Sequence, residues 1–206
     1  CWCAGFVTAD MSHRVLPALL LSLLATPADV CADDHPADHW EIAVEVGYLE
    51  KVRDNSPLDY VIVPLQIAWR SPAAFELWQG DSGARLRVRN RIAVILETYL
   101  EGAEDYYFAF AGAPVFELWN AAATDALFFE IGGGFGLTNS NGTPGGQGQD
   151  FAFNWYSQLG ARHQLGNRQA LTAAAYFTHH SNLGMTDPNP GIDVAGINLG
   201  WIWQFD

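Results

Sequence analysis

Three cysteines, a single lysine and no apolar run long enough to cross a bilayer as a helix set the first limits on this 206-residue chain. The cysteines are Cys1, Cys3 and Cys31, so everything after residue 31 has no disulfide framework and no thiolate metal site. His35, His39 and His163 show no convergent metal spacing, and neither a metal nor a cofactor is expected. Positive charge is scarce: Lys and Arg total 10 against 23 Asp and Glu, a formal net charge of −13. That excludes nucleic acid as a partner, because phosphate backbones are held by basic surface. The glycine-rich stretch ending at Gly148 is not followed by Gly-Lys-Ser, which removes the usual nucleotide cradle. The longest apolar run, Val15 to Ala25, falls short of the roughly 20 residues a spanning helix needs.

That run has a different reading. A basic start at His13 and Arg14, the apolar core, and small residues at Val30 and Ala32 make a secretory signal peptide over residues 11–32. Residues 1–10 lie upstream of Met11 and read as a non-native extension. Cys31 is not read as a lipid anchor, because Ala28-Asp29-Val30 does not carry the lipoprotein pattern. Residues 33–206 are then one domain, and 50% hydrophobic residues with 16% charged is the composition of a folded chain.

Within that domain apolar residues recur every second position. Trp40, Ile42, Val44, Val46 and Tyr48 alternate with Glu41, Ala43, Glu45 and Gly47, the period of a strand with unlike faces. Val61 to Trp69 repeats the pattern, with Pro64 predicting a bulge. Ser71 to Gly83 loses the alternation and has no assigned element beyond an extension of its neighbours. From Arg85, the apolar set Leu86, Val88, Ile92, Val94, Leu96 and Leu100 opposes Arg85, Arg87, Arg89, Arg91, Glu97 and Glu101. Further alternating segments run over Tyr106 to Leu118, with a second bulge predicted at Pro114, over Leu127 to Gly133, and over Phe151 to Arg162. Gly132 to Asp150 reads as a flexible loop. Leu171 to Ser181 and Asp193 to Trp203 complete eight segments.

Eight alternating segments of about ten residues predict an all-β, eight-stranded antiparallel transmembrane β-barrel. Alternation alone does not say which face is inside. An eight-stranded interior just holds its side chains, and small or polar residues fill it better than stacked Phe and Trp. Arginines facing hydrocarbon would cost roughly 2–4 kcal/mol each at the midplane. The arginine ladder therefore faces inward, and with Glu41, Glu45, Glu97 and Glu130 it is expected to form an interior salt-bridge and hydrogen-bond network.

The chemistry gathers near the end of the chain. On the face shared by Leu171, Ala173, Ala175 and Phe177 the last two positions are His179 and Ser181. The following segment returns with Asp193, Ala195, Ile197 and Leu199 on one face. A hairpin puts His179, Ser181 and Asp193 on one side, at the loop end. Ser, His and a carboxylate are the parts of an activated hydroxyl nucleophile. His179 and Ser181 are about 6.5–7 Å apart along an ideal strand, so rotamers or a strand-end bend must close that gap.

The run His179-x-Ser181-Asn182-x-Gly184, followed by Asn189-Pro190-Gly191 and the acidic Asp193, resembles the lipid A 3-O-deacylase (PagL) family of bacterial outer membranes. The resemblance implies an ester hydrolase of the Gram-negative outer membrane. It would cleave the 3-O-linked 3-hydroxyacyl chain of lipid A, the lipid of lipopolysaccharide. By position Ser181 is the nucleophile, His179 the base and Asp193 the orienting acid, with Asn182 and Gly184 at the oxyanion hole. The chain departs at Asp193 from the best-known members of the family, which carry Glu, one methylene longer. Two other readings stand beside this one: a non-catalytic structural or adhesive outer-membrane barrel, and a secreted soluble ligand-binding barrel. Whether the barrel is a monomer or a homodimer is left open by the sequence.

Overall fold

A computed structural model of the chain describes residues 35–54, 56–166 and 168–206. The expected extension over residues 1–10 and the expected signal peptide over 11–32 lie outside the described residues. A short 3₁₀ turn, Pro36–Asp38, leads into nine strands: β1 Trp40–Lys51, β2 Val61–Arg70, β3 Phe75–Gln79, β4 Arg85–Glu101, β5 Tyr106–Trp119, β6 Asp125–Thr138, β7 Phe151–Gln164, β8 Gln169–Ser181 and β9 Ile192–Phe205. Neighbours in sequence pair antiparallel except β2 and β3, β1 also pairs with β9, and β2 pairs with β4, which closes an eight-stranded barrel. No described helix is long and apolar enough to cross a membrane, which leaves crossing by strands untouched.

The ninth strand, β3, resolves the irregular stretch. It pairs with β4 alone, Phe75 opposite Val88 and Gln79 opposite Arg85, below the last β2–β4 partner pair, Arg70 and Arg91. All five of its residues are exposed, so neither face is buried and no alternation is imposed on its sequence. Arg85 and Arg87 belong to this extension, with Glu76 and, for Arg87, Asp38 as partners. Arg89 and Arg91 are the members of the ladder buried in the barrel.

Neither proline makes a bulge. Pro64 pairs in step with Glu97, and the β1–β2 register is the same on both sides of it. Gly47 leaves room for the proline, since a Cβ there would stand 2.9 Å from the Pro64 ring. Pro114 likewise sits in register opposite Asn90. The assignment of Gly132 onward to a loop is also corrected: β6 continues through Gly132 to Thr138, with Gly133, Gly134 and Gly136 paired on both edges. Glycine is needed there because a Cβ on Gly134 would collide with the Phe110 carbonyl. The loop proper begins at Asn139.

The faces sort as expected. Large apolar residues such as Val46, Leu65, Ile92, Phe110, Leu159 and Ile197 lie exposed on the outside. Inside, Glu41 bridges Arg162 at 2.7 Å and Arg89 at 2.9 Å, and Glu45 bridges Arg70 and Arg91, each at 2.9 Å. These charges sit out of water, so each relies on its partners for solvation. Four loops, 52–60, 102–105, 139–150 and 182–191, gather at one end, and short turns at the other.

Candidate active site

β8 and β9 reach the loop end in a register that pairs Phe177 with Ala195 and His179 with Asp193. Cross-strand partners share a face, so the histidine and the acid stand together on the outer wall. Nδ1 of His179 and Oδ1 of Asp193 are 2.7 Å apart. The carboxylate is buried and the imidazole about a quarter exposed. On the other side, the opposite residue on β7 is Trp155, whose ring centroid lies 6.0 Å from that of His179. Three strands thus hold the imidazole between an indole and a carboxylate. Because Nδ1 faces the acid, Nε2 is the nitrogen left for a reacting group.

Ser181 closes β8 opposite Phe153 and is 7% exposed. Its hydroxyl is not bonded to His179. Oγ lies 3.3 Å from Asn189 Oδ1 and 3.2 Å from Asn189 Nδ2, and it accepts the Leu183 N–H at 2.9 Å. The structure therefore brings His179 to Asp193 and Ser181 to Asn189, as two separate pairs.

The residues expected at the oxyanion hole are hydrogen-bonded within the loops of this end. Asn182 is fully buried, and its Nδ2 donates to the carbonyls of Gln147, Thr186 and Pro188. Its Oδ1 accepts the Gly184 N–H at 2.8 Å. Both expected donors are engaged, Gly184 within the 182–191 loop and Asn182 both there and on Gln147 of the 139–150 loop, and a donor already bonded is poorly placed for a developing negative oxygen. Leu183 and Gly184 both take positive φ, 56° and 74°, so the turn after Ser181 is left-handed at both residues. Asn182 is what holds it. Asn182→Ala is expected to loosen the 182–191 loop, leaving three carbonyls without their donor while the barrel stays folded. Faster limited proteolysis confined to that loop is the expected readout; an unchanged cleavage pattern would count against this role.

Two residues beside the site are not assigned from sequence. Asn189 contacts Ser181 and also accepts the Asn182 N–H at 3.0 Å. In the sequence Asn189 belongs to the Asn189-Pro190-Gly191 part of the family pattern and, as an Asn before Pro, marks a turn, but neither signal tells of a contact eight residues back. Arg53 comes from the opposite end of the chain, its Nη1 3.7 Å from Asp193 Oδ2. Val52 N–H donates to the Asp193 carbonyl at 3.0 Å and fixes the start of that loop beside the acid. Among the described residues no group of three or more His, Cys, Asp or Glu is arranged to hold a metal ion.

A family model described as lipid A 3-O-deacylase (PagL) matches residues 65–202, about two thirds of the chain and all of the 179–193 region. A solved structure, the crystal structure of the outer membrane enzyme PagL, superposes with a TM-score of 0.53 at 20% identity, covering 80% of this chain and 99% of that one. At that identity the likeness speaks to the fold. No curated protein matches significantly.

Proposed function

The chain belongs to the lipid A 3-O-deacylase (PagL) family, and from that premise we propose that it is a serine esterase of the Gram-negative outer membrane that removes the 3-O-linked 3-hydroxyacyl chain of lipid A. The observation that carries the reading is the His179–Asp193 pair on the outer wall at the loop end, two residues from Ser181. In a barrel with its loops outside the cell, that position is level with the outer leaflet, where lipopolysaccharide lies. A water-soluble esterase has no reason to display this pair on a wall of exposed Phe, Leu and Ile.

In the proposed reaction Ser181 turns from Asn189 to His179 as the substrate ester arrives. Oγ attacks the carbonyl carbon and its proton passes to His179 Nε2, while Asp193 holds the tautomer and stabilises the imidazolium. The C–O bond to the sugar breaks, and the proton on Nε2 goes to the departing sugar oxygen. Water then attacks the acyl-enzyme, gives one proton through His179 back to Ser181, and releases the 3-hydroxy fatty acid. The donors nearest Oγ are Asn189 Nδ2 and the Leu183 N–H, and we assign the tetrahedral oxygen to them in place of Asn182 and Gly184. The acyl chain lies along the outer wall by Phe177, Ala175, Ile197 and Leu199. It is in hydrocarbon before and after binding, so little water is released, and selectivity rests on chain shape and head-group polarity.

The competing reading, a non-catalytic barrel that keeps the motif, draws on one observation: the Ser181 hydroxyl rests on Asn189. Mass spectrometry of lipid A from cells with and without the protein separates the two. Loss of one 3-hydroxyacyl mass and appearance of the free acid is the result expected of the esterase; unchanged lipid A at full expression in the outer membrane leaves the non-catalytic barrel.

A further inference from the structure

The loop end is acidic. Glu50, Asp54, Asp59, Glu101, Asp105 and Asp150 are all exposed there. Against them, the described residues of this end include two cations, Lys51 and Arg53. Lys51 is turned inward: its Nζ donates to the carbonyls of Ser56 at 2.8 Å and Leu58 at 2.9 Å, and its side chain is 13% exposed. Arg53 is turned outward, with a side chain 76% exposed, and it stands over the acid of the catalytic pair. The other described arginines are in the barrel interior, as Arg70, Arg89, Arg91 and Arg162, or at the turn end, as Arg85, Arg87 and Arg168.

We propose that Arg53 is the head-group recognition residue of this site, taking a phosphate on the lipid A sugar that carries the scissile ester. The inference rests on the deacylase reading above and adds which part of the substrate is recognised and by what. Lipid A is a phosphorylated glucosamine disaccharide, so an anion arrives with every substrate molecule. A rim of carboxylates repels that anion everywhere except where a cation interrupts it, and one cation beside the reacting groups therefore sets the orientation of the sugar. A guanidinium presents five N–H donors in a planar fork suited to phosphate oxygens. One arm lies toward Asp193, and the side chain's exposure leaves the fork open to a ligand from outside. The loop is also pinned where it must be: Val52 is tied to Asp193, and Lys51 ties the far side of the loop through Ser56 and Leu58. Arg53 is thus displayed from a braced loop rather than from a free tail.

The test compares two lipids, lipid A carrying the phosphate on its reducing-end glucosamine and the same lipid lacking it. Both are titrated into the full-length protein in detergent micelles, with intrinsic tryptophan fluorescence as the binding readout. The wild type is expected to bind the phosphorylated lipid about tenfold more tightly at low salt, a preference that shrinks as salt is added. In Arg53→Gln that preference is expected to collapse to about one, and Arg53→Lys to restore part of it, since a lysine keeps the charge and loses the fork. An undiminished preference in Arg53→Gln overturns the proposal, because the phosphate is then read elsewhere. Equal weakening of both lipids overturns it too, because Arg53 then acts through Asp193 and the shape of the site. Failure of the deacylase reading looks different: no fatty acid is released from either lipid, whatever the binding ratio.

Discussion

Ser181→Ala is expected to lower the release of free 3-hydroxy fatty acid from lipid A by about 10³-fold or more, with His179→Ala giving a loss of similar size. A triad works as a unit, so removing nucleophile or base each forfeits nearly the whole covalent route, and the losses do not add. The residual rate comes from whatever the amide donors and lipid binding still supply. The structure makes the serine variant a clean probe. Ser181 is the last residue of β8, and its hydroxyl bonds only to the 182–191 loop, through Asn189 and Leu183. Removing Oγ leaves every strand pairing in place. The assay is mass spectrometry of lipid A incubated with each purified variant, alongside heat-modifiable migration on gels to show that the barrel is closed. Retained release in a folded Ser181→Ala variant would remove the catalytic assignment, whichever family the chain belongs to.

Glu41→Ala should have the largest effect on stability, about 3–5 kcal/mol, because it strips a buried cluster of its central anion. Glu41 is fully buried, bridges Arg162 and Arg89, and accepts from Gln204. Two guanidiniums inside the barrel would then share Glu117 alone, 3.3 Å from Arg162 and 3.7 Å from Arg89. Replacing a whole buried network by apolar residues can be nearly neutral, whereas removing one partner leaves uncompensated charge. Glu41→Gln keeps the shape and an acceptor, and should fall between the wild type and Glu41→Ala. Urea unfolding in detergent, followed by tryptophan fluorescence, measures all three. A loss below about 1 kcal/mol for Glu41→Ala would mean that water reaches this end of the lumen well enough to screen the arginines.

The site was legible in the sequence to the extent that it obeys a period of two. His179 and Asp193 fall on the apolar face of their strands, and a hairpin with a one-residue slip would have sent one of them inward. The observed partner pair needs no slip. The contacts of Asn189 and Arg53 and the loop-bracing bonds of Asn182 were not legible, for a common reason. Each acts from or within a loop, where no periodicity fixes the direction of a side chain, and Arg53 meets Asp193 only because β1 pairs with β9 across the closing seam. The prolines and glycines misled in the same way. Pro64 reads as a bulge until Gly47 is seen opposite it, and the Gly132 to Gly136 run reads as a loop until the neighbouring backbone is seen filling the space of the missing side chains.

Alternation, the phase of the arginines and the spacing of His179, Ser181 and Asp193 were enough to determine an eight-stranded barrel, its inside and outside, and the face that carries the candidate triad. Each is a local property, set by a strand's two-residue repeat and by the cost of placing charge against hydrocarbon. Tertiary structure alone decided that Ser181 rests on Asn189, that Asn182 holds a loop together, and that a cation from the first loop stands at the acid. These depend on closure of the barrel and on the meeting of loops far apart in the chain, and no periodicity in the sequence records such distances.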